Sequence, residues 1–330
     1  MLAFIRKILV IAAVAASAYG FVLAISAWIF HIDDRQPSHS RIVGTLAIDL
    51  PEGHGLGTAV LVDPCGILTT FHSVFGPWYV TAIRPPSHEF AATFTLTEVS
   101  LPNGTHPAAR ATPVVWGDYR GPDRQMRSPG NDWVYLVLDR CLGAKYGYFS
   151  LRTLEPEDIE AGADNFVAIG YSSGRQMIDP TCAIRTGLGS KHAGTWLHDC
   201  ALQAGDSGGP IVKHGTTTLV ALGSGFVTAA GEQSCAVGDD AVRFGWDDRC
   251  ANLAVQLSGE IIDHVRAAEI AAGVQRALLQ LGYNAGPLGS VDEPKARAAI
   301  EQFQRSVGLD VTGEATDSLW MILLLQLYMG

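Results

Sequence analysis

Charge is scarce in this sequence. Only 17% of the 330 residues are Asp, Glu, Lys or Arg, and 23 basic residues stand against 33 acidic ones, a net charge of −10. No basic stripe is available to neutralise phosphates, which excludes nucleic acid as a partner. None of the six cysteines stands at CxxC spacing to another, so the usual sequence sign of a zinc or redox site is absent. Between residues 41 and 257 there is almost no helical period, which excludes a helical bundle for the larger part of the chain. Disorder is excluded by the 48% hydrophobic content, enough for a real core in one large domain and a small one.

What is present begins at the start of the chain. Arg6 and Lys7 precede an uncharged, largely apolar run from Ile8 to Phe30, with His31, Asp33 and Asp34 beyond it. At ~1.5 Å per residue that run can cross a hydrocarbon core of ~30 Å. Positive charge before it and acid after it predict that the rest of the chain is exported. Residues 1–30 read either as an uncleaved signal anchor in the inner membrane or as a signal peptide cut near Ala16-Ser17-Ala18. In the first case the protein faces the periplasm from the membrane, and in the second it is free there. Residues 31–41 read as a linker.

An even number of cysteines fits an oxidising compartment. Cys65 lies just before one apolar run and Cys141 just after another, so they meet if those runs pair as antiparallel strands. Cys182 and Cys200 lie on two segments leading to a glycine-rich turn, and Cys235 with Cys250 follows by elimination. Free thiols or metal ligands are the alternative, disfavoured by the spacing.

From residue 42 short apolar runs alternate with Gly, Pro, Asn and Asp: 42–50, 58–63, 66–71, 78–83, 132–139, 165–171, 209–213, 218–227 and 252–257. This pattern predicts an all-β sandwich or a pair of barrels without choosing between them. Within it stands Gly205-Asp206-Ser207-Gly208-Gly209-Pro210. Glycine two residues before a serine lets the backbone turn so that the Gly205 and Ser207 N–H groups aim at one point, which is what a nucleophilic serine needs for the charge it creates. The hexapeptide resembles the nucleophile motif of the chymotrypsin/trypsin-like serine peptidases. His72, after Gly66-Ile67-Leu68-Thr69-Thr70-Phe71, resembles that family's base segment. Asp132, heading Asp132-Trp133-Val134-Tyr135-Leu136-Val137-Leu138, resembles its acid segment, and Asp139 flanks the same run at the other end.

The order His72, Asp132, Ser207 is the family's order. The resemblance implies two six-stranded antiparallel β-barrels over residues 42–267, a His72–Asp132–Ser207 catalytic triad, and an oxyanion hole formed by the Gly205 and Ser207 amides. It implies a protein or peptide substrate, and no cofactor or metal. Cys182-Ala183-Ile184, Trp196 to Cys200 and Ala168-Ile169-Gly170-Tyr171 are similar to the bacterial V8-like branch. A specificity pocket of Ala201, Leu202, Ser224 and Gly225 is implied; it holds no acid and no histidine, so a small or apolar preference is expected. Arg41-Ile42-Val43-Gly44 resembles a zymogen activation junction, but also reads simply as the start of a first strand.

After residue 258 the period becomes helical. Val274, Leu278 and Leu281 share one face, and Ala296, Ala299, Ile300 and Phe303 share another. Val274-Gln275, Gly286-Pro287, Phe303-Gln304, Gly308-Leu309 and Val311-Thr312-Gly313 resemble the three-helix peptidoglycan-binding domain, here spanning residues 268–330 with peptidoglycan as the implied partner of residues 273–328. The run Leu319–Tyr328 is too short to span a membrane and reads as the buried face of the last helix. Two other readings stay open: a catalytically idle peptidase-fold scaffold that binds peptidoglycan, and a peptidoglycan hydrolase.

Overall fold

The computed structural model describes residues 36–37, 40–50, 53–75, 92–118, 129–160, 165–186, 193–228, 250–289 and 294–329. The Ile8–Phe30 run, the segment 78–83 and Cys235, with its expected bond to Cys250, lie outside these. Among the described residues no helix is long and apolar enough to cross a membrane.

Six strands close into an antiparallel barrel: β2 (Val43–Leu50), β3 (Gly53–Asp63), β4 (Gly66–Thr69), β5 (Ala92–Thr95), β6 (Ala108–Trp116) and β7 (Val134–Leu138), in the order β2-β3-β4-β7-β6-β5. The remaining strands form a nine-stranded sheet. They are β1 (Gln36–Pro37), β8 (Ser150–Leu151), β9 (Phe166–Ser172), β10 (Arg175–Cys182), β11 (Ile184–Thr186), β12 (Thr195–His198), β13 (Pro210–Lys213), β14 (Thr218–Thr228) and β15 (Cys250–Gln256). Their order is β1-β10-β9-β13-β14-β15-β12-β11, with β8 beside β14. The chain is thus mainly β with terminal helices, as expected. The second β unit is a sheet of nine strands rather than a closed six-stranded barrel among the described residues. Gln36–Pro37, expected as linker, pairs with β10.

β7 carries no polar alternation because both its faces are covered. Val134, Leu136 and Leu138 point into the barrel core with Leu46, Leu61 and Ile67. Tyr135 and Val137 face a second core shared with Val167, Ile169, Val212 and Leu222 of the nine-stranded sheet. The two β units are therefore welded along β3, β4 and β7, and the end of β4 lies beside the start of β7, with Thr69 opposite Val134.

Three long helices follow: α1 (Gly259–Gln280), α2 (Pro294–Ser306) and α3 (Asp317–Met329). α1 starts where the Ser258 hydroxyl accepts the Ile261 N–H at 3.3 Å, an N-cap. It then runs unbroken through residues 267 and 268. Ile261, Val265, Ala268 and Ala272 pack on the β core, and Val274, Ala277 and Leu278 enter the helical core with Ile300, Phe303, Leu319 and Leu323. Arg276 donates to the carbonyls of Leu138 at 2.5 Å and Asp139 at 3.0 Å, anchoring α1 to the end of β7. Beneath it Tyr135 donates to buried Asp63 at 2.9 Å, and burial raises the pKa of both groups. Partial burial, with Asp63 nearby, lifts Glu269 of α1 to about 7.

Two buried glutamines explain the residue strings of the helical unit. Gln275 donates to the carbonyls of Ala285 and Pro287 and accepts the Gly289 N–H; Gln304 accepts from the N–H groups of Thr312 and Gly313. Each side chain replaces the backbone partners that a turn cannot find within itself. α3 departs from expectation. It buries Leu319 and Leu323 but leaves Met321, Leu325, Tyr328 and Met329 exposed, because α1 and α2 cover only one side of it.

His198, on β12 between β11 and β15, is wholly buried, and burial lowers its pKa to about 4 against a smaller opposing pull from the Leu253 backbone. An unfolded imidazole titrates near ~6.5. Between those values only the unfolded chain binds the proton, so stability present above pH ~6.5 is lost as pH falls towards ~4 and levels off below it. The loss should be about 3 kcal/mol, and His198→Gln should remove most of that part of the decline. Urea midpoints at pH 7, 5.5 and 4 check this; parallel declines in the two proteins would acquit His198.

Candidate active site

β4 ends at Thr69, and the chain turns into a single helical turn over residues 71–75 that carries His72. Asp132 stands two residues before β7, the antiparallel neighbour of β4, with Thr69 opposite Val134. That pairing brings the two side chains together. Asp132 Oδ1 accepts the His72 backbone N–H at 2.9 Å, and Oδ2 lies 2.7 Å from His72 Nδ1. The carboxylate is fully buried and the imidazole 28% exposed, so one ring nitrogen is held inside and the ring edge remains reachable. Asp139, at the far end of β7, accepts the Arg110 N–H at 2.9 Å instead.

A third donor reaches Asp132 from the other β unit: Ser224 Oγ, at 2.5 Å from Oδ2. Sequence reasoning placed Ser224 in a specificity pocket; the structure puts its hydroxyl on the buried acid. Its carbonyl accepts the Ser207 hydroxyl at 3.3 Å. His72, Asp132, Ser224 and Ser207 are thus linked, with no direct His72–Ser207 hydrogen bond.

The loop 201–209 is built by its own backbone. Gln203 N–H donates to buried Asp206 Oδ2 at 2.6 Å, Asp206 N–H returns to the Gln203 carbonyl at 3.1 Å, and Gly208 N–H donates to Gly223 at 2.8 Å. Gly205 has φ +100° and Gly208 φ +84°, conformations open to glycine, and a Cβ at either would collide with the Tyr171 carbonyl or with Thr58 and Thr69. Among the described residues neither the Gly205 nor the Ser207 N–H donates to another group. Two donors two residues apart in a tight loop can receive an oxyanion.

The remaining expected pocket residues cluster beside this loop. Ala201 is buried, its N–H donating to Asp179 Oδ2 at 2.8 Å; the Leu202 methyls lie 3.6 Å from where a Cβ on Gly223 would be; and the space beside Gly225 is open. At the Arg41–Ile42 junction, Gln176 receives the Ser40 N–H at 2.6 Å and donates to the carbonyls of Ser40 and Val43. The Ile42 carbonyl accepts from Leu61, so this segment is tethered on both sides of the junction. Cys65–Cys141 and Cys182–Cys200 are both formed. Thr58, which bonds the nucleophile loop from β3, escaped sequence reasoning; its only sign is one polar residue entering the apolar run 58–63.

Among the solved structures that the chain resembles are serine proteases. They include the thermostable serine protease AL20 from an extremophilic microorganism (15% identity, 71% of this chain and 99% of that one, TM-score 0.47). A Glu endopeptidase matches at 14% identity over 72% of this chain and 97% of its own, TM-score 0.49. Mouse brain neuropsin matches at 16% over 71% and 100%, TM-score 0.47. No curated protein matches the chain. Residues 272–323 match the family model of a peptidoglycan binding domain.

Proposed function

We propose that this protein is a serine endopeptidase of the bacterial cell envelope. It is held at the periplasmic side of the inner membrane by residues 8–30, or released there if they are cut, and residues 273–328 contact peptidoglycan. The observation that carries the reading is the fully buried Asp132, both of whose oxygens engage His72, beside a nucleophile loop with two free-facing amides.

In this reading the Ser207 hydroxyl turns from the Ser224 carbonyl to His72 Nε2, as catalytic hydrogen bonds tighten when substrate is bound. Oγ attacks the peptide carbonyl while Nε2 takes the proton, and Asp132 holds Nδ1–H and stabilises the imidazolium. The Gly205 and Ser207 amides receive the oxyanion. His72 then gives the proton to the departing amine, and water, deprotonated by the same nitrogen, releases the acyl group. Neutral Ala201 and Leu202 favour a small or apolar side chain before the cleaved bond.

Treatment of the full chain with a fluorophosphonate, followed by mass spectrometry, should place the label on Ser207 and on no residue of Ser207→Ala. A peptide-library profile of the two proteins then gives the cleavage preference. An unlabelled wild-type Ser207 would favour an idle wall-binding scaffold, and muropeptide release surviving Ser207→Ala would favour a peptidoglycan hydrolase.

A further inference from the structure

Thr58 lies on β3 in the first β unit, wholly buried, with every polar group engaged. Its N–H donates to the Ser207 carbonyl at 3.0 Å, and its carbonyl accepts Thr69 Oγ1 at 2.6 Å. Its hydroxyl accepts the Tyr171 N–H at 2.9 Å and donates to the Gly205 carbonyl at 2.8 Å. Because the amide of Tyr171 can only donate, the hydroxyl proton is committed to Gly205.

The Gly205–Asp206 peptide lies between the two peptides that carry the candidate oxyanion donors. Its N–H is held by the Gln203 carbonyl and its C=O by Thr58. Gly205 has no side chain to resist rotation of its peptide, and at φ +100° it has other conformations within easy reach. The loop's own bonds fix one edge of this plane, and only the hydroxyl from the other β unit fixes the opposite edge. We propose that Thr58 is a positioning residue that sets the Gly205 and Ser207 amides by bolting the nucleophile loop to the first barrel. The oxyanion site is then completed by docking of the two β units. This inference rests on the reading of Ser207 as nucleophile.

Its test compares the full-length wild type with Thr58→Val, Thr58→Ser, Thr58→Ala and Ser207→Ala, measuring the second-order rate of fluorophosphonate labelling against pH and the melting temperature of each. Loss of a whole oxyanion donor lowers rates by about 10²–10³-fold, so loss of a group that only positions two donors should lower the plateau by about 10- to 100-fold in Thr58→Val. The pH midpoint should not move, since His72 and Asp132 are untouched, and Thr58→Ser should recover most of the rate. Should Thr58→Val fail to fold, the serine and alanine variants, which differ by one hydroxyl, carry the same comparison. A folded valine or alanine variant labelled at the wild-type rate would overturn the proposal, as would a serine variant as slow as alanine, or a plateau loss accompanied by a shifted midpoint. Wild type left unlabelled would instead sink the nucleophile reading and this inference with it.

Discussion

Asp132→Asn should slow the reaction of Ser207 by about 10³–10⁴-fold while leaving the chain folded. Three donors converge on this buried carboxylate: the backbone N–H and Nδ1 of His72, and the Ser224 hydroxyl. An amide has one accepting oxygen and one donating nitrogen, so it cannot satisfy all three. If its NH2 faces Nδ1, the imidazole must carry its proton on Nε2, and it can no longer take one from Ser207. If it faces the His72 N–H, two donors meet and the helical turn over 71–75 must shift. The labelling rate, read beside Ser207→Ala and with circular dichroism to verify folding, decides the matter. A rate within about tenfold of wild type would remove Asp132 from the chemistry.

Deleting the Cys65–Cys141 bond with a paired Cys65→Ala/Cys141→Ala variant should lower unfolding free energy by about 4 kcal/mol, against about 3 for Cys182–Cys200. The difference comes from loop length: the first bond joins residues 76 apart, the second 18 apart. The first also clamps the β4–β7 pair at the end where Leu138 N–H meets the Cys65 carbonyl, opposite the end carrying His72 and Asp132. The labelling rate at 25 °C should therefore survive while the urea midpoint drops. Equal losses for the two bonds would contradict the loop-length argument, and a lost labelling rate in a folded variant would show that the clamp reaches the site.

The strands read from sequence were those with unbroken apolar runs, such as 58–63 and 132–139. Such runs persist because both faces are buried, one in the barrel core and one in the core between the β units. β6 and β10 were not legible. β6 contains Pro113, and β10 contains Asp179 and Pro180, residues that locally signal turns. Their strands exist because barrel closure and sheet pairing supply partners, with register shifts near Pro113 and between Asp179 and Cys182 that accommodate the prolines. In the helical unit the FQ and VTG strings were legible as a motif, but the Gln304 bonds that join them required the fold.

By itself the sequence determined the mainly β character, the helical end, two of the cysteine pairings, and the meeting of His72 with Asp132 rather than with Asp139. Each depends on local pattern and chain order, which a linear string carries. Only the tertiary structure decided that Ser224 completes the donors on Asp132, that α1 is shared by both cores, and that Thr58 holds Gly205 across the junction of the two β units. Those contacts join residues 92, 137 and 147 positions apart, and at such distances hydrogen-bond geometry follows from packing rather than from any local pattern.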